Sequence, residues 1–195
     1  MPREGYSLGS KLLDLGSRAQ QVLPISRIAR PFLERLSEAC EDTIHLGVLE
    51  DGWALYLDKL PGRRRIEISS RVGERHPVWS TGLGKALILG MDEMRWRAFY
   101  ALAADRPAYR TYDAAEWLTQ MRAYARKGVA YDLEENEPQI RCVAAPIRDV
   151  GGAVVVAFSV SSMVQYMDEV RMEALGDDVR RVASMISTEL GWVAV

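Results

Sequence analysis

A glycine-rich stretch from Pro77 to Ala86, with the sequence PVWSTGLGKA, combines residue types that suit anion binding. Ser80 and Thr81 are favourable N-cap residues, so we expect a helix to begin directly after them. The first turn of such a helix has N–H groups without partners and the positive end of the helix dipole, which together favour a carboxylate or a phosphate. The same residues also fit an ordinary glycine-rich connection. They do not fit a nucleotide-binding P-loop, because Trp79 stands where its first glycine belongs.

A second set of polar side chains lies in apolar surroundings further along the chain. Asp132 ends a short apolar segment, and Cys142 begins a strand of apolar residues. Ser159 and Ser161 are two positions apart and therefore share one face of a strand. Each of these residues alone is more often structural than functional. Combined with a helix N-terminus, however, two hydroxyls, one thiol and one carboxylate would hold a small polar molecule without transforming it.

The sequence lacks the usual signatures of catalysis and of metal binding. It contains no Gly-x-Ser-x-Gly elbow, and nothing in it places His76 beside a serine or beside Cys142. The two cysteines and two histidines do not have the spacing of a zinc site. We therefore expect no catalytic residue, no bound metal and no cofactor. A small hydrolase that uses Ser159 or Cys142 is the enzymatic alternative.

The composition is that of an ordinary globular protein. The chain has 195 residues, of which 48% are hydrophobic and 27% are charged, and its net charge of −2 lacks the basic excess of a nucleic-acid-binding domain. No apolar run approaches the roughly 20 residues of a membrane span. Residues 2–5 do not lead into the continuous apolar segment of a signal peptide. We therefore expect a cytoplasmic protein that does not bind membranes.

Local patterns predict an α+β domain with one mostly antiparallel sheet. Alternating and apolar runs predict six strands, at residues 43–50, 53–58, 64–69, 129–133, 141–148 and 153–161. Asp51-Gly52 between the first two is the strongest hairpin signal. Apolar periodicity and capping residues predict helices that begin near Pro24, Asp92, Asp113 and Asp168. Pro31 either kinks the first of these helices or displaces its start.

Two charged segments are interpreted from their composition. Arg63-Arg64-Arg65 is either a phosphate-binding patch or a solvated strand edge that its charge protects from pairing. Glu134, Glu135 and Glu137 are interpreted as a solvated loop after Asp132. The first helix and the last helix, which has one apolar stripe, are expected to pack together.

At this point the residues resemble the ligand-sensing domain of IclR-type transcriptional regulators. The stretch from Pro77 to Ala86 is similar to the signature of that domain. Later segments match in order and spacing: Gly128-x-x-x-Asp132-x-Glu134-Glu135, Arg141 to Asp149, Gly152, and Phe158-Ser159-Val160-Ser161. The match extends from Gly5 to Gly191, which is nearly the whole chain.

The resemblance implies a GAF-like domain with a sheet of about six strands flanked by helices. It implies that residues 1–22 are the end of a wing and a linker helix, and that residues 23–195 are the effector-binding domain. The winged helix-turn-helix that binds DNA in this family would then be missing from the sequence. The family also implies homodimers or homotetramers, with DNA contacted only through the missing domain.

The ligand contacts of the family carry over to nine positions. The resemblance assigns the backbone amides of Gly82 and Leu83 to the ligand, and the polar pocket positions to Asp132, Cys142, Ser159 and Ser161. It assigns Ile68 and Ile140 to the apolar pocket wall. His76 departs from some relatives, which have an apolar residue there, and implies a more polar or larger ligand. Protonated His76 or Arg71 would assist a carboxylate.

The resulting hypothesis is a transcriptional regulator domain that senses a small organic acid. Because Asp132 near a carboxylate requires a proton donor, the effector should carry a hydroxyl. The candidate effectors are hydroxy or keto acids, including sugar acids, and hydroxylated aromatic acids. A GAF-like small-molecule sensor with another output is the second interpretation, and the hydrolase is the third.

Overall fold

A six-stranded antiparallel sheet forms the centre of the fold. The computed structural model describes residues 10–11, 24–65, 68–102 and 112–193. The strands are β1 (Thr43–Glu50), β2 (Trp53–Leu60), β3 (Arg75–Pro77), β4 (Ala130–Leu133), β5 (Ile140–Arg148) and β6 (Val154–Met163). Their spatial order is β3-β2-β1-β6-β5-β4, and all neighbours are antiparallel. The predicted α+β class and the mostly antiparallel sheet are therefore confirmed.

The β1–β2 hairpin turns at the predicted dipeptide. Asp51 and Gly52 both have positive φ angles, of 51° and 84°, which is the backbone of a tight hairpin turn that favours Asp-Gly. The register pairs Glu50 with Trp53 across this turn. A purely local signal therefore fixes the first two strands.

The third predicted strand, at residues 64–69, is wrong. Its described residues form no strand, and β3 instead covers residues 75–77. Two side chains explain the loop: Arg64 donates to the Cys40 carbonyl at 3.0 Å, and Lys59 Nζ donates to the carbonyls of Ile68 at 2.8 Å and Ser70 at 3.1 Å. The carbonyls of Ile68 and Ser70 therefore accept from the Lys59 side chain, whereas in a strand they would accept from the backbone of a neighbouring strand.

The helices of the described residues begin largely where capping residues predict. They are α1 (Pro24–Cys40), α2 (Gly82–Ile88), α3 (Glu93–Ala101), α4 (Ala114–Lys127) and α5 (Glu169–Glu189), with a short 3-10 helix at Val164–Tyr166. Asp92, Asp113 and Asp168 each accept hydrogen bonds from backbone amides of the first turn. Pro31 lies inside α1 without displacing its start.

The sheet separates two helical layers. Helices α1 and α5 pack on one face and against each other, which confirms the predicted pairing, and α2 packs on the opposite face. A Cβ added to Gly176 of α5 would lie 2.8 Å from the Tyr131 hydroxyl oxygen on one face of the sheet. A Cβ added to Gly82 of α2 would lie 3.1 Å from the Cβ atom of Cys142 on the other face. The layer that contains α2 is where the candidate site lies.

The predicted wing and linker helix, at residues 1–22, lie almost entirely outside the described residues. The boundary at residue 23 therefore stays a prediction. Within the described ranges, no helix has the length and apolar character needed to cross a bilayer.

Candidate functional site

A cavity of about 410 Å³ lies between the sheet and the start of α2. Two loops, which include residues 68–70 and 136–138, complete its wall. All nine residues expected from the sequence line it: Ile68, His76, Gly82, Leu83, Asp132, Ile140, Cys142, Ser159 and Ser161. The fold thus brings positions from distant parts of the chain around one space.

Strand register explains why the polar residues converge. Asp132 of β4 is opposite Cys142 of β5, which is opposite Ser161 of β6. Residues directly opposite one another in antiparallel strands point to the same face. Ser159 is two residues from Ser161 and is paired with His45 of β1 on that same face. The result is one polar surface spanning four strands beneath α2.

The turn before α2 approaches this surface closely. Thr81 is the N-cap, and its side chain accepts a hydrogen bond from the Gly84 amide at 3.0 Å. A Cβ on Gly84 would lie 2.5 Å from the Cα of Val78, which leaves no room for a larger residue. The amides of Gly82 and Leu83 belong to the first turn, where the helix itself supplies no acceptor. They lie at the cavity wall.

Asp132 is a buried carboxylate whose two oxygens differ in their hydrogen bonding. Its Oδ1 accepts from the Glu135 amide at 2.9 Å and from the Asn136 amide at 3.4 Å, whereas Oδ2 lies 4.0 Å from the Cys142 sulfur. Burial raises the pKa of Asp132, although the nearby Lys85 opposes the change. Burial also raises the pKa of the Cys142 thiol. Cys142 is therefore protonated at neutral pH and a poor nucleophile.

A buried ion pair supports the cavity from behind. Lys85 is fully buried, donates to the Tyr131 carbonyl at 2.8 Å and pairs with Glu135. Burial lowers the pKa of Lys85. Because Glu135 is only 4% exposed, the prediction that it belongs to a solvated loop is wrong. The acidic run itself gave no signal of which carboxylate would meet the buried lysine.

Three stacked rings form another part of the wall. His45 stacks on Tyr56 with 4.6 Å between ring centroids, and Tyr56 stacks on His76 with 4.3 Å. Sequence reasoning selected only His76. Burial lowers the pKa of His76, so its neutral form dominates at neutral pH and the expected help from protonated His76 does not fit. His45 is a polar residue within an apolar strand, which is the same signal that singled out the two serines.

A polar junction lies at the ends of β1 and β6. The buried Asp42 carboxylate accepts hydrogen bonds from Arg64 at 3.2 Å, from Ser162 at 2.7 Å and from Arg171. Arg64 is therefore neither a phosphate-binding residue nor a solvated strand edge. Because Ser162 is the neighbour of Ser161, the junction anchors the end of β6 that carries a cavity residue.

The geometry does not support hydrolysis. Ser161 Oγ lies 3.4 Å from His45 Nδ1, but the other nitrogen of this ring faces the Ser70 hydroxyl at 2.7 Å and not a carboxylate. Burial and the nearby Lys59 lower the pKa of His45 to about 3, which makes it a weak base. In the part of the chain that the structure describes, no cluster of His, Cys, Asp or Glu would hold a metal.

A larger and more open groove of about 670 Å³ follows α5. None of the nine expected residues lines it. Its Arg180 and Arg181 pair with Asp177 and Asp178 of the same helix. We therefore place the candidate site in the smaller cavity, where buried polar groups converge.

Comparisons with known proteins agree with this fold. The family model described as bacterial transcriptional regulator IclR C-terminal matches residues 17–188. The chain is 31% identical to the HTH-type transcriptional regulator KdgR of Escherichia coli (strain K12), over 97% of this chain and 73% of that protein. It is 32% identical to XynR of the same organism, over 99% of this chain and 78% of that protein.

Solved structures give the same result. The Thermotoga maritima IclR is similar with a TM-score of 0.85 and 27% identity, over 96% of this chain and 76% of that chain. The C-terminal domain of E. coli KdgR is similar with a TM-score of 0.70 and 26% identity, over 86% of this chain and 99% of that chain. The predicted GAF-like fold is thereby confirmed.

These relatives also decide the broad class of function. They are transcriptional regulators, not enzymes, which confirms the expectation that this chain is not an enzyme. The matched region and the overall fold correspond to one part of those regulators. The chain belongs to the bacterial IclR family of transcriptional regulators and forms its C-terminal domain.

Proposed function

We propose that the cavity binds a small organic acid that carries a hydroxyl group, and that this ligand is the effector of the regulator. The observation that carries the proposal is the convergence of unlike polar groups on one buried space of about 410 Å³. Cavities that bind small molecules typically have volumes of about 300–1,000 Å³ and a few convergent polar groups. The space suits a hydroxy acid, a sugar acid, a keto acid that also carries a hydroxyl, or a hydroxylated aromatic acid.

Hydrogen-bond donors lie on one side of this space. The Ser159 hydroxyl has no hydrogen-bonding partner among the described residues, although its side chain lines the cavity. Ser161 is two residues further along β6 on the same face, and Gly82 and Leu83 lie at the start of α2. Uncharged donors fixed by a rigid scaffold stabilise a carboxylate without the desolvation of a buried cation. We assign the carboxylate of the effector to this side.

The Asp132 carboxylate supplies an acceptor on the other side. Among the described residues, the weak Cys142 thiol at 4.0 Å is the hydrogen-bonding partner of its Oδ2, so a hydroxyl on the ligand would gain a charge-assisted hydrogen bond. A carboxylate without such a hydroxyl would instead be repelled. The side walls formed by Ile68 and Ile140 suit the carbon skeleton of the ligand.

We propose that effector binding changes DNA binding by the helix-turn-helix domain of the full-length protein. KdgR and XynR are HTH-type regulators, and this chain matches 73% and 78% of their lengths. The ligand must bind one arrangement of the paired subunits more tightly than the other, because only differential affinity shifts an equilibrium.

The test is a thermal-shift screen of the purified chain against hydroxy, keto, sugar and hydroxylated aromatic acids. A ligand that binds only the folded state raises the melting temperature. We expect selective hits that disappear in Ser161→Ala and persist in Ser184→Ala, whose exposed serine lines the groove along α5. The absence of any shift across the acids, with shifts for neutral aromatic compounds, would overturn the organic-acid assignment.

A further inference from the structure

His45 lies between two serines at the wall of the cavity. Its Nε2 is 2.7 Å from the Ser70 hydroxyl oxygen, and its Nδ1 is 3.4 Å from the Ser161 hydroxyl oxygen. The ring is 2% exposed and stacks on Tyr56, so its plane is fixed. A neutral imidazole has one N–H donor and one acceptor nitrogen, and the position of that proton decides which serine donates.

We propose that His45 is a positioning residue, held as the Nδ1–H tautomer, which turns the Ser161 hydroxyl proton into the cavity and thereby makes this wall select ligands with an acceptor, such as a carboxylate. The inference rests on the proposed function, since it concerns the same cavity. In this arrangement Ser70 donates to Nε2, and Nδ1–H faces the Ser161 oxygen over a long contact of 3.4 Å. The Ser161 hydroxyl then keeps its own proton for an acceptor in the cavity, which is the Cys142 sulfur when no ligand is present.

The contact with Ser70 favours this direction of hydrogen bonding. A heavy-atom separation of 2.7 Å is at the short end of the range of about 2.7–3.2 Å for an N–H donor to oxygen and close to the usual distance for a hydroxyl donor. Among the described residues, His45 is the partner of the Ser70 hydroxyl. The Ser70 carbonyl accepts from Lys59 Nζ, and its amide donates to the Ile68 carbonyl, so the loop holds the serine in place.

The surrounding charges favour the same tautomer. Lys59 is opposite His45 in the hairpin and binds the loop on the Nε2 side. A positive charge there stabilises the lone pair of an unprotonated Nε2. His76, on the far side of Tyr56, is neutral at neutral pH.

Nitrogen NMR of the ligand-free chain tests the inference directly. The chain contains only His45 and His76, so a long-range ¹H–¹⁵N spectrum shows two imidazoles, and His76→Asn assigns them. We expect His45 at pH 7 to show a protonated Nδ1 and an unprotonated Nε2. A protonated Nε2, or a doubly protonated ring, would overturn the inference.

Ser70→Ala supplies a variant with a matched control. Removal of the Ser70 hydroxyl takes away the donor to Nε2, so the Nδ1–H signal should decrease in favour of the other tautomer. Ser69→Ala, in the same loop, should leave the spectrum unchanged, because the exposed Ser69 has no contact with the ring in the described structure. An unchanged tautomer in Ser70→Ala would show that this serine does not set it.

Ligand selectivity separates this inference from the proposed function. Each carboxylic acid that raises the melting temperature is compared with its primary amide by calorimetry. We expect the acid to bind about tenfold or more tightly, which corresponds to one charge-assisted hydrogen bond, and the ratio to fall in Ser70→Ala. If no acid binds but the Nδ1–H tautomer is present, the proposed function fails and the assignment of the ring proton stands. If acids bind to a ring protonated at Nε2, the positioning role fails alone.

Discussion

At the scale of single residues, Asp132 and Lys85 are ionisable side chains that the fold buries almost completely. Both are buried, and each depends on a partner that is distant in sequence: Lys85 pairs with Glu135, and Asp132 lies beside Cys142 of the neighbouring strand. A buried charge is tolerated when it is paired or hydrogen-bonded. The two residues differ in their partners, because Lys85 donates to a carbonyl and a carboxylate of the protein whereas Oδ2 of Asp132 lies 4.0 Å from the Cys142 sulfur.

Replacement of Asp132 by Asn should weaken ligand binding and preserve the fold. Asparagine still accepts from the Glu135 and Asn136 amides, but it lacks the charge that strengthens a hydrogen bond from the ligand. We expect affinity for a hydroxylated acid, measured by calorimetry, to fall about tenfold or more. Unchanged affinity would remove Asp132 from the binding site.

The same variant should respond to pH in a defined direction. The folded protein raises the pKa of Asp132, so it binds more protons than the unfolded chain between about pH 4, the usual carboxyl value, and the raised pKa. Ionisation therefore makes the wild-type protein lose stability as pH rises through this window. Urea unfolding should show Asp132→Asn gaining in relative stability from pH 4 towards neutral pH. A relative loss over that range would contradict the direction of the pKa change.

Replacement of Lys85 by Met should destabilise the protein strongly. It leaves Glu135 and Asp132 buried without their cation, and loss of one partner of a buried pair typically costs about 3–5 kcal/mol. The double variant Lys85→Met/Glu135→Leu should recover part of this loss in denaturant unfolding. Arg180→Met, which breaks an exposed pair with Asp177, is the control and should cost less than about 1 kcal/mol. Equal effects of Lys85→Met and Arg180→Met would contradict the role of the buried pair.

At the scale of secondary structure, the turn into α2 is the element that closes the cavity. Thr81 caps the helix, and two glycines allow its backbone to lie directly on the strands and on the preceding turn. The capping signal was readable from the sequence. The strand β3 was not, because its pairing with β2 depends on a loop held by Lys59 and Arg64.

Replacement of Gly84 by Ala should therefore destabilise this turn. The new Cβ would lie 2.5 Å from the Cα of Val78 and 2.7 Å from the Pro77 carbonyl oxygen, both of which are backbone atoms. We expect the free energy of unfolding to fall by about 1–3 kcal/mol. Each kcal/mol should lower the melting temperature by about 2–4 °C. Gly151→Ala meets only the Asp149 side chain and should change stability by less than about 0.5 kcal/mol. A melting temperature for Gly84→Ala equal to that of the control would contradict the close approach.

At the scale of the whole molecule, the chain is the C-terminal domain of a transcriptional regulator of the IclR family. Both edge strands of its sheet are short, with three residues in β3 and four in β4. Short edges offer few unpaired N–H and C=O groups to a neighbouring sheet. Association of subunits is therefore expected through helices and loops and not by extension of the sheet.

The chain should form homodimers or homotetramers in solution. This expectation comes from the resemblance to the family. Sedimentation equilibrium should give a mass two or four times 21.9 kDa. A species of 21.9 kDa at micromolar concentration would contradict it.

The sequence by itself determined the elements that depend on neighbouring residues. The Asp51-Gly52 turn, the aspartate caps of α3, α4 and α5 and the face shared by Ser159 and Ser161 arise from local geometry. The order and spacing of the motifs also identified the family and the nine cavity positions, since a relative with a known arrangement supplies the long-range contacts.

Only the tertiary structure decided which buried polar groups meet. Periodicity shows that a residue faces the interior, but it does not show what lies opposite. Glu135 is buried because it pairs with the buried Lys85, which lies 50 positions earlier in the chain. His45 joins the cavity because β1 pairs with both β2 and β6, which places Ser70 and Ser161 on either side of its ring. Such partners are fixed by sheet order, which no local pattern contains.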